Sequence, residues 1–280
     1  MKQFVMRAGD KGQEVKKLQM ALKCKFIDGI FGPGTESDLK DYQEDHGLSP
    51  DGVAGPITLD HMGIPVLAGI DIYNGNGKVD WKAVAKDGVK FAWIKCSEGT
   101  TFKDKSRKRN ITAARKAGLI VGGYHFGRPD NGPKQDFRDA IEEADNFLAA
   151  ITCNAHSGDL LPVLDLEAGV KSDDSYNAEW ALTWCERVEE VLGCKPVIYC
   201  AKWASDLYLK HADEDLLKRL RKYQCWWASY NTGTETKRGV TFWNEWDVWQ
   251  WTGSGSTAGV NGKCDKNWCA GGKLESLRIK

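Results

Sequence analysis

From residue 65 onward the chain alternates short apolar strands with amphipathic helical stretches. No other feature restricts its fold as much. Strand-like runs fall at residues 67–72, 91–96, 119–126, 160–166, 196–200, 226–230 and 248–252, with a last short one near Asp265. Helical periodicity occupies 81–86, 107–117, 137–150, 178–192 and 213–222. Strand–helix alternation implies a parallel α/β architecture. Eight strands in about 215 residues suit a small barrel. Little helix separates the later strands, so the outer helical ring should be incomplete. The expected fold is an irregular TIM-like β/α barrel over residues 65–280, preceded by a small three-helix domain over 1–64. Asp80 is expected to cap the helix that begins at Trp81.

The run 160–167, LLPVLDLE, carries the strongest chemical signal. Side chains alternate along a strand, so Asp165 and Glu167 point one way and Leu166 the other. Two carboxylates closing an apolar strand either meet solvent or are used. Burial and like charge push their pKa values apart, and a split acid/base pair is what glycosidic-bond hydrolysis needs. Further acids recur at strand ends: Asp71, Glu98 and Asp265. In an α/β barrel the C-terminal strand ends form one face, so these sequence-distant acids should share one cleft.

Composition excludes several classes. The formal net charge is zero, which gives no polyanion-binding surface and no expectation of nucleic acid as a partner. The local run Lys103, Lys105, Arg107, Lys108 and Arg109 reads as a solvated helix start. No apolar run approaches the ~20 residues a membrane span needs. The opening MKQFVMRAGDKG has no apolar h-region, so no secretory signal and synthesis in the cytoplasm are expected. Nine cysteines are scattered without a C-x-x-C or a zinc-like Cys/His set. They read as reduced thiols acting as small hydrophobes, and no metal or cofactor is expected. A Cys264–Cys269 bridge is the one exception the sequence leaves open. The twelve tryptophans suit both a packed barrel and stacking on sugar rings.

Residues 1–64 contain an internal echo. Asp28-Gly29-Ile30-Phe31-Gly32-Pro33-Gly34-Thr35 returns 23 residues later as Asp51-Gly52-Val53-Ala54-Gly55-Pro56-Ile57-Thr58. Each copy reads as a tight turn leading into a helix. With Val15, Leu18, Gln19 and Leu22 upstream, and Tyr42-Gln43 and Gly47-Leu48 between, this pattern resembles the three-helix peptidoglycan-binding domain of bacterial and phage cell-wall hydrolases.

The later segments resemble glycoside hydrolase family 25, the Chalaropsis-type lysozymes. They are Gly69-Ile70-Asp71, Val79-Asp80-Trp81, Ile94-Lys95 with Glu98-Gly99-Thr100, Tyr124-His125-Phe126, Pro162 with Asp165 and Glu167, Ile198-Tyr199, Trp227 with Tyr230, and Trp249-Gln250-Trp251-Thr252 with Asp265. The resemblance implies an N-acetylmuramidase. It places the general acid at Glu167 and the other key acids at Asp165 and Asp71, with Glu98 and Asp265 as further cleft acids. It also implies that the substrate's 2-acetamido group attacks, oriented by Asp71 or Asp165; direct attack by water is the alternative. Tyr124, Tyr199, Trp227, Tyr230 and Trp251 are the candidate sugar platforms. His125 is read as a hydrogen-bonded structural residue. Together the two resemblances imply a modular endolysin. Its partner is bacterial peptidoglycan, it is expected to be a monomer, and it reaches the wall when the membrane is breached. A chitinase-like hydrolase and a non-catalytic wall-binding protein are the rival readings.

Overall fold

The computed structural model describes residues 6–64, 66–130, 136–151, 155–169, 175–230, 243 and 246–280. Two separate hydrophobic clusters form. The smaller gathers Val15, Leu18, Phe31, Leu39 and Leu59 from helices α1 (Gln13–Ala21), α2 (Pro33–Asp45) and α3 (Pro56–His61). Proline opens both α2 and α3, where its missing N–H would have had no helical partner.

The sequence echo is a structural device used twice. Gln19 Nε2 donates toward Asp28 Oδ1, the Ile30 carbonyl and Thr35 Oγ1 at 2.9–3.0 Å. Its Oε1 accepts from the Gly29 amide at 2.8 Å. Gln43 repeats every contact on Asp51, Val53, Thr58 and Gly52 at 2.9–3.1 Å. Gly29 and Gly52 have φ of 78° and 70°, the left-handed region where a Cβ is disfavoured. A buried amide thus replaces a backbone ladder in holding each turn to the helix before it.

The larger cluster fills a closed barrel. Its strands are β1 (Val66–Ile72), β2 (Phe91–Glu98), β4 (Ile120–Phe126), β5 (Val163–Asp165), β6 (Val197–Ala201), β7 (Gln224–Ala228), β8 (Val248–Gly255) and β9 (Cys264–Ala270), while the two-residue β3 (Phe102–Lys103) hangs on β2. The order β1-β9-β8-β7-β6-β5-β4-β2 closes through parallel pairing of β1 with β2. All barrel pairings are parallel except those of β9, which runs against both β1 and β8. A wholly parallel barrel is therefore not what forms. Only residues 256–263 join β8 to β9, and so short a link can reverse the chain but cannot cross over it.

Helices α4 (Trp81–Lys86), α5 (Arg107–Lys116), α6 (Arg138–Ile151), α7 (Tyr176–Leu192), α8 (Lys202–Tyr208) and α9 (Glu214–Leu220) cover the wall, and α10 (Gly271–Leu274) follows β9. In α6, Ala140, Ala144, Phe147 and Ile151 are buried at helical spacing, the stripe a helix lays against a sheet. Asp80 caps α4 by accepting from the Lys82 and Ala83 amides. Helix α8 was not expected. It follows β6 without a turn signal between them. The strand expected at 160–166 is shortened to β5, because Pro162 has no N–H to give a ladder.

Inside the barrel, Trp93 stacks on Trp226 at 4.5 Å between ring centroids, and its Nε1 donates to the Leu161 carbonyl at 3.0 Å. A Cβ on Gly122 would lie 2.7 Å from Trp93 Nε1, so the missing side chain is what admits the indole. Cys264 and Cys269 lie five residues apart on β9. At ~3.3 Å per residue they are about 16 Å apart and on opposite faces, so they cannot bridge. The bridge left open by sequence is excluded by parity. Among the described residues, no helix is long and apolar enough to cross a membrane.

Replacing Gln43 with Ala should strip the Gly52 amide of its partner and destabilise the N-terminal helices by about 1–3 kcal/mol. Hydrogen exchange on the full chain should show faster exchange at Gly52 and Val53 with barrel amides unchanged. Unchanged protection there would show that the clamp contributes nothing.

Candidate functional site

The C-terminal strand ends surround a cavity of about 240 Å³. Its wall includes Asp71 from β1, Lys95 from β2, Tyr124 and Phe126 from β4, Asp165 and Glu167 from β5 and the residues after it, Tyr199 from β6, Trp226 from β7, Gln250 from β8 and Asp265 from β9, with Tyr73 and Tyr230 at the rim. Asp265 stands near the start of its strand rather than the end. It reaches the same face because β9 is reversed, which sets Asp265 opposite Asp71 in the antiparallel register.

Asp71 is the most constrained of these acids. Its Oδ1 accepts from Gln250 Nε2 at 2.9 Å and Asn267 Nδ2 at 2.8 Å. Both amides are fixed from behind. Gln250 Oε1 accepts from the hydroxyls of Tyr199 at 2.9 Å and Tyr230 at 2.7 Å. Asn267 Oδ1 accepts from Trp226 Nε1 at 2.8 Å. With each carbonyl oxygen occupied by a donor, each NH₂ must face Asp71. Asp165 is just as buried, yet its Oδ1 has no hydrogen-bond partner among the described residues.

The electrostatics follow from burial. Asp71 and Asp165 are both held well above the ordinary carboxyl range, first by desolvation and then by the neighbouring acids: Asp265 for Asp71, Glu167 and then Asp71 for Asp165. Glu167 is raised by burial and next by Asp265, with Lys95 and Arg128 opposing. Asp265 is raised by burial as well. The cavity therefore favours protonated carboxyls at pH values where a solvated acid would be ionised.

Of the sequence candidates, Asp71, Asp165, Glu167, Asp265, Tyr124, Tyr199 and Tyr230 come together on this wall, and three do not. Glu98 pairs with Lys95 at 2.5 Å and Arg128 at 2.7 Å. Burial works against its charge, but these two cations outweigh that and hold it below the usual range. Trp227 is 2% exposed and, one residue from the cavity-lining Trp226, points out of the barrel. Trp251 faces the outer side of β8 and packs on Trp268 at 5.3 Å. The residues sequence reasoning passed over are Trp226, Gln250, Asn267 and Lys95. Strand parity would have signalled Gln250, a polar residue between two tryptophans, and Asn267, two residues from Asp265.

His125 lies behind the wall, fully buried. Its Nδ1 is 2.8 Å from Ser97 Oγ and its Nε2 2.7 Å from Glu143 Oε2. Burial pushes the imidazole down to about 3 and the Glu143 carboxyl up to about 8. Among the described residues, no three His, Cys, Asp or Glu side chains are grouped to hold a metal ion.

The profile of glycosyl hydrolases family 25 matches residues 70–260, and that of a peptidoglycan binding domain matches residues 11–62. Lysozyme M1 of Streptomyces globisporus is 27% identical over 236 residues, covering 76% of this chain and 71% of that protein. The solved structure of the bacterial lysozyme from Streptomyces coelicolor has a TM-score of 0.65 at 26% identity, covering 76% of this chain and 97% of that one. The CTP1L endolysin structure has a TM-score of 0.63 at 27% identity, covering 75% of this chain and 69% of that one.

A carboxyl whose folded pKa stands above its unfolded value contributes stability that is complete below the unfolded pKa and lost as pH rises through the folded one. Asp71, with an ordinary value of 3.8 and a raised folded value, is such a group. Asp71→Asn keeps the acceptor for both amides and cannot ionise. The variant should match the parent below about pH 3.5 and exceed it in denaturation midpoint at pH 7. A midpoint at pH 7 equal to or below the parent's would contradict the assigned burial cost.

Proposed function

Since the chain belongs to glycosyl hydrolases family 25, and is with it a muramidase that cleaves peptidoglycan, we propose that Glu167 is the acid that protonates the glycosidic oxygen. Asp165 and Asp71 are its partners in stabilising the sugar. The observation that carries this reading is that Glu167 shares one cavity with the buried Asp71 and Asp165, where desolvation works against the charge of all three. A glycosidic oxygen is a poor leaving group, so the acid must still hold its proton near neutral pH. Burial and then the Asp265 charge shift Glu167 in that direction, above its ordinary value. The bond cleaved is the β-1,4 link from N-acetylmuramic acid to N-acetylglucosamine.

The two remaining acids differ in their hydrogen bonding, which supports a different role for each. Asp71 Oδ1 is already filled by two amides. Asp165 Oδ1 is buried with an acceptor to spare. A substrate 2-acetamido N–H is the donor that would complete it. In this reading the acetamido oxygen attacks the anomeric carbon as the C–O bond breaks and Glu167 releases its proton to the leaving oxygen. Water then opens the cyclic intermediate, with Glu167 taking a proton back. Asp71 is immobilised from behind by two amides that favour its charged form against burial, so it can supply negative charge as positive charge develops on the ring.

The finer reading is a modular endolysin. Residues 1–64 are the wall-binding unit and 65–280 the cutting unit, and the protein acts on the wall once the membrane is breached. Supporting this are the separate small core, the peptidoglycan binding match over residues 11–62 and the likeness to the CTP1L endolysin. Joining a binder to a catalyst raises the local substrate concentration.

Glu167→Gln should fold normally and lose turnover by a factor on the order of 10²–10⁴. Mass spectrometry of digested sacculi should find N-acetylmuramic acid at the new reducing ends. New ends in N-acetylglucosamine, or near-normal turnover by the variant, would sink the assignment. Asp165→Asn should be similarly severe. Deleting residues 1–64 should leave cleavage of solubilised glycan chains intact while lowering the rate on whole sacculi. Equal rates on sacculi would show that the first unit does not serve binding.

A further inference from the structure

The two turns of the N-terminal unit share one clamp but differ at their tips. In the first, the Cys24 amide donates to the Gln19 carbonyl at 2.9 Å; in the second, the Leu48 amide donates to the Gln43 carbonyl at 2.8 Å. Each turn then closes at an aspartate, Asp28 or Asp51, that accepts from the glutamine side chain. Between these fixed points the second copy has Ser49-Pro50, and the first has Lys25-Phe26-Ile27. The left-handed residue that ends the preceding helix is Gly47 in the second copy, at φ 68°, and Lys23 in the first, at φ 57°. Glycine takes that conformation freely and lysine does not. Beyond the aspartate, Val53 is 7% exposed, while its counterpart Ile30 is 45% exposed. One frame thus carries a plain turn once and a basic, apolar turn once.

Exposed apolar surface is concentrated at this turn. Of eleven large hydrophobic side chains exposed among the described residues, four are Met20, Phe26, Ile27 and Ile30, and Phe26, at 69%, is the most exposed of all. Single exposed apolar residues are ordinary, but a cluster of them marks a contact surface. Lysines surround the cluster. Lys25 Nζ lies 5.5 Å from the centre of the Phe26 ring. Lys11 pairs with Ile30 through the backbone. The Lys16 side chain lies 3.0 Å from where a Cβ on Gly29 would stand. Residues 11–30 hold five lysines and two acids, whereas residues 36–51 hold six acids and one lysine. Asp28, the acid of the turn itself, is committed to the Gln19 side chain and the Ile30 amide.

We propose that this turn is an anchor for an anionic lipid surface: Phe26 and Ile27 enter the headgroup boundary while the surrounding lysines meet its phosphates. The apolar side chains alone do not name a partner. The lysines around them, and the gathering of the unit's acids in and just after α2, select a surface of negative charge. A lipid interface accepts a small apolar tip without a deep complementary pocket, and the negative surface potential adds to the attraction. The contact is peripheral and reversible and involves no spanning helix. It is separate from the wall-binding role of residues 1–64 and does not depend on it.

Sedimentation of the full chain with lipid vesicles tests this. The chain should bind vesicles of phosphatidylglycerol and phosphatidylethanolamine saturably, bind phosphatidylcholine vesicles about tenfold more weakly, and lose affinity as salt rises. Phe26→Ser with Ile27→Ser, and separately Lys23→Gln with Lys25→Gln, should each lower affinity for the anionic vesicles about tenfold. Both pairs should keep the parent's thermal midpoint and its rate on solubilised glycan chains. In Phe26→Trp, brominated acyl chains should quench more tryptophan emission than they do in the parent. A parent that ignores anionic vesicles overturns the proposal, as does equal binding to neutral ones. Parent-like affinity in either double variant, or no added quenching in Phe26→Trp, does the same. If the parent ignores vesicles and the Phe26 and Ile27 pair loses sacculi instead, the turn belongs to the wall. The wall-binding reading fails separately: a chain that binds vesicles but not sacculi removes that reading and leaves this inference standing.

Discussion

The two amide hydrogen bonds on Asp71 Oδ1 hold the cavity in its present form. A carboxyl this buried beside three others would be costly without donors. Gln250 and Asn267 supply them, and each is locked in turn by aromatic donors from β6 and β7 and by Tyr230 just beyond. Five strand ends are thereby connected through one oxygen atom. The arrangement depends on β9 being reversed. Running antiparallel, it brings Asp265 and Asn267 to the mouth from its starting end, where a parallel strand would have placed its last residues instead.

Where the chain's periodicity is long and regular, the sequence was a sound guide. The helical stripe of α6, the cap at Asp80 and the strands ending in Asp71 and Asp165 all follow from local pattern. The paired turns of the N-terminal unit were legible as a repeat, but the clamp that explains the repeat was not, since it joins residues 9 to 16 positions apart. Trp226 and Trp227 show the finer limit. Both are aromatic, both sit in one strand, and only the barrel's register says which faces inward. Asn267 was hidden for another reason. Amides carry no charge and titrate nowhere, so a search for acids passes over the residue that makes one of those acids tolerable.

The barrel's outer face shows how one sequence bias compensates for another. Among the described residues no helix lies between β7 and β8 or between β8 and β9. In that arc Trp249 and Trp251 each pack on Trp268, at 6.4 and 5.3 Å between ring centroids. Indoles carried by the strands cover apolar surface that helices cover elsewhere. These indoles stand on the outer side of β8 and β9, which is why so few of the C-terminal tryptophans reach the cavity.

The pairing of β1 with both β2 and β9 carries a consequence for how the enzyme comes into being. β1 and β9 are separated by most of the barrel's sequence, and loop closure over such a span is late and slow. During synthesis, Asp71 leaves the ribosome long before Gln250 and Asn267, the groups that make its burial tolerable. A growing chain can pack α4 to α7 onto the early strands, but the mouth has no floor on its far side until β8 and β9 arrive. The cutting site is therefore completed only when β8 and β9 join the barrel, and a chain stopped before them lacks Gln250, Asp265 and Asn267 and with them the cleft.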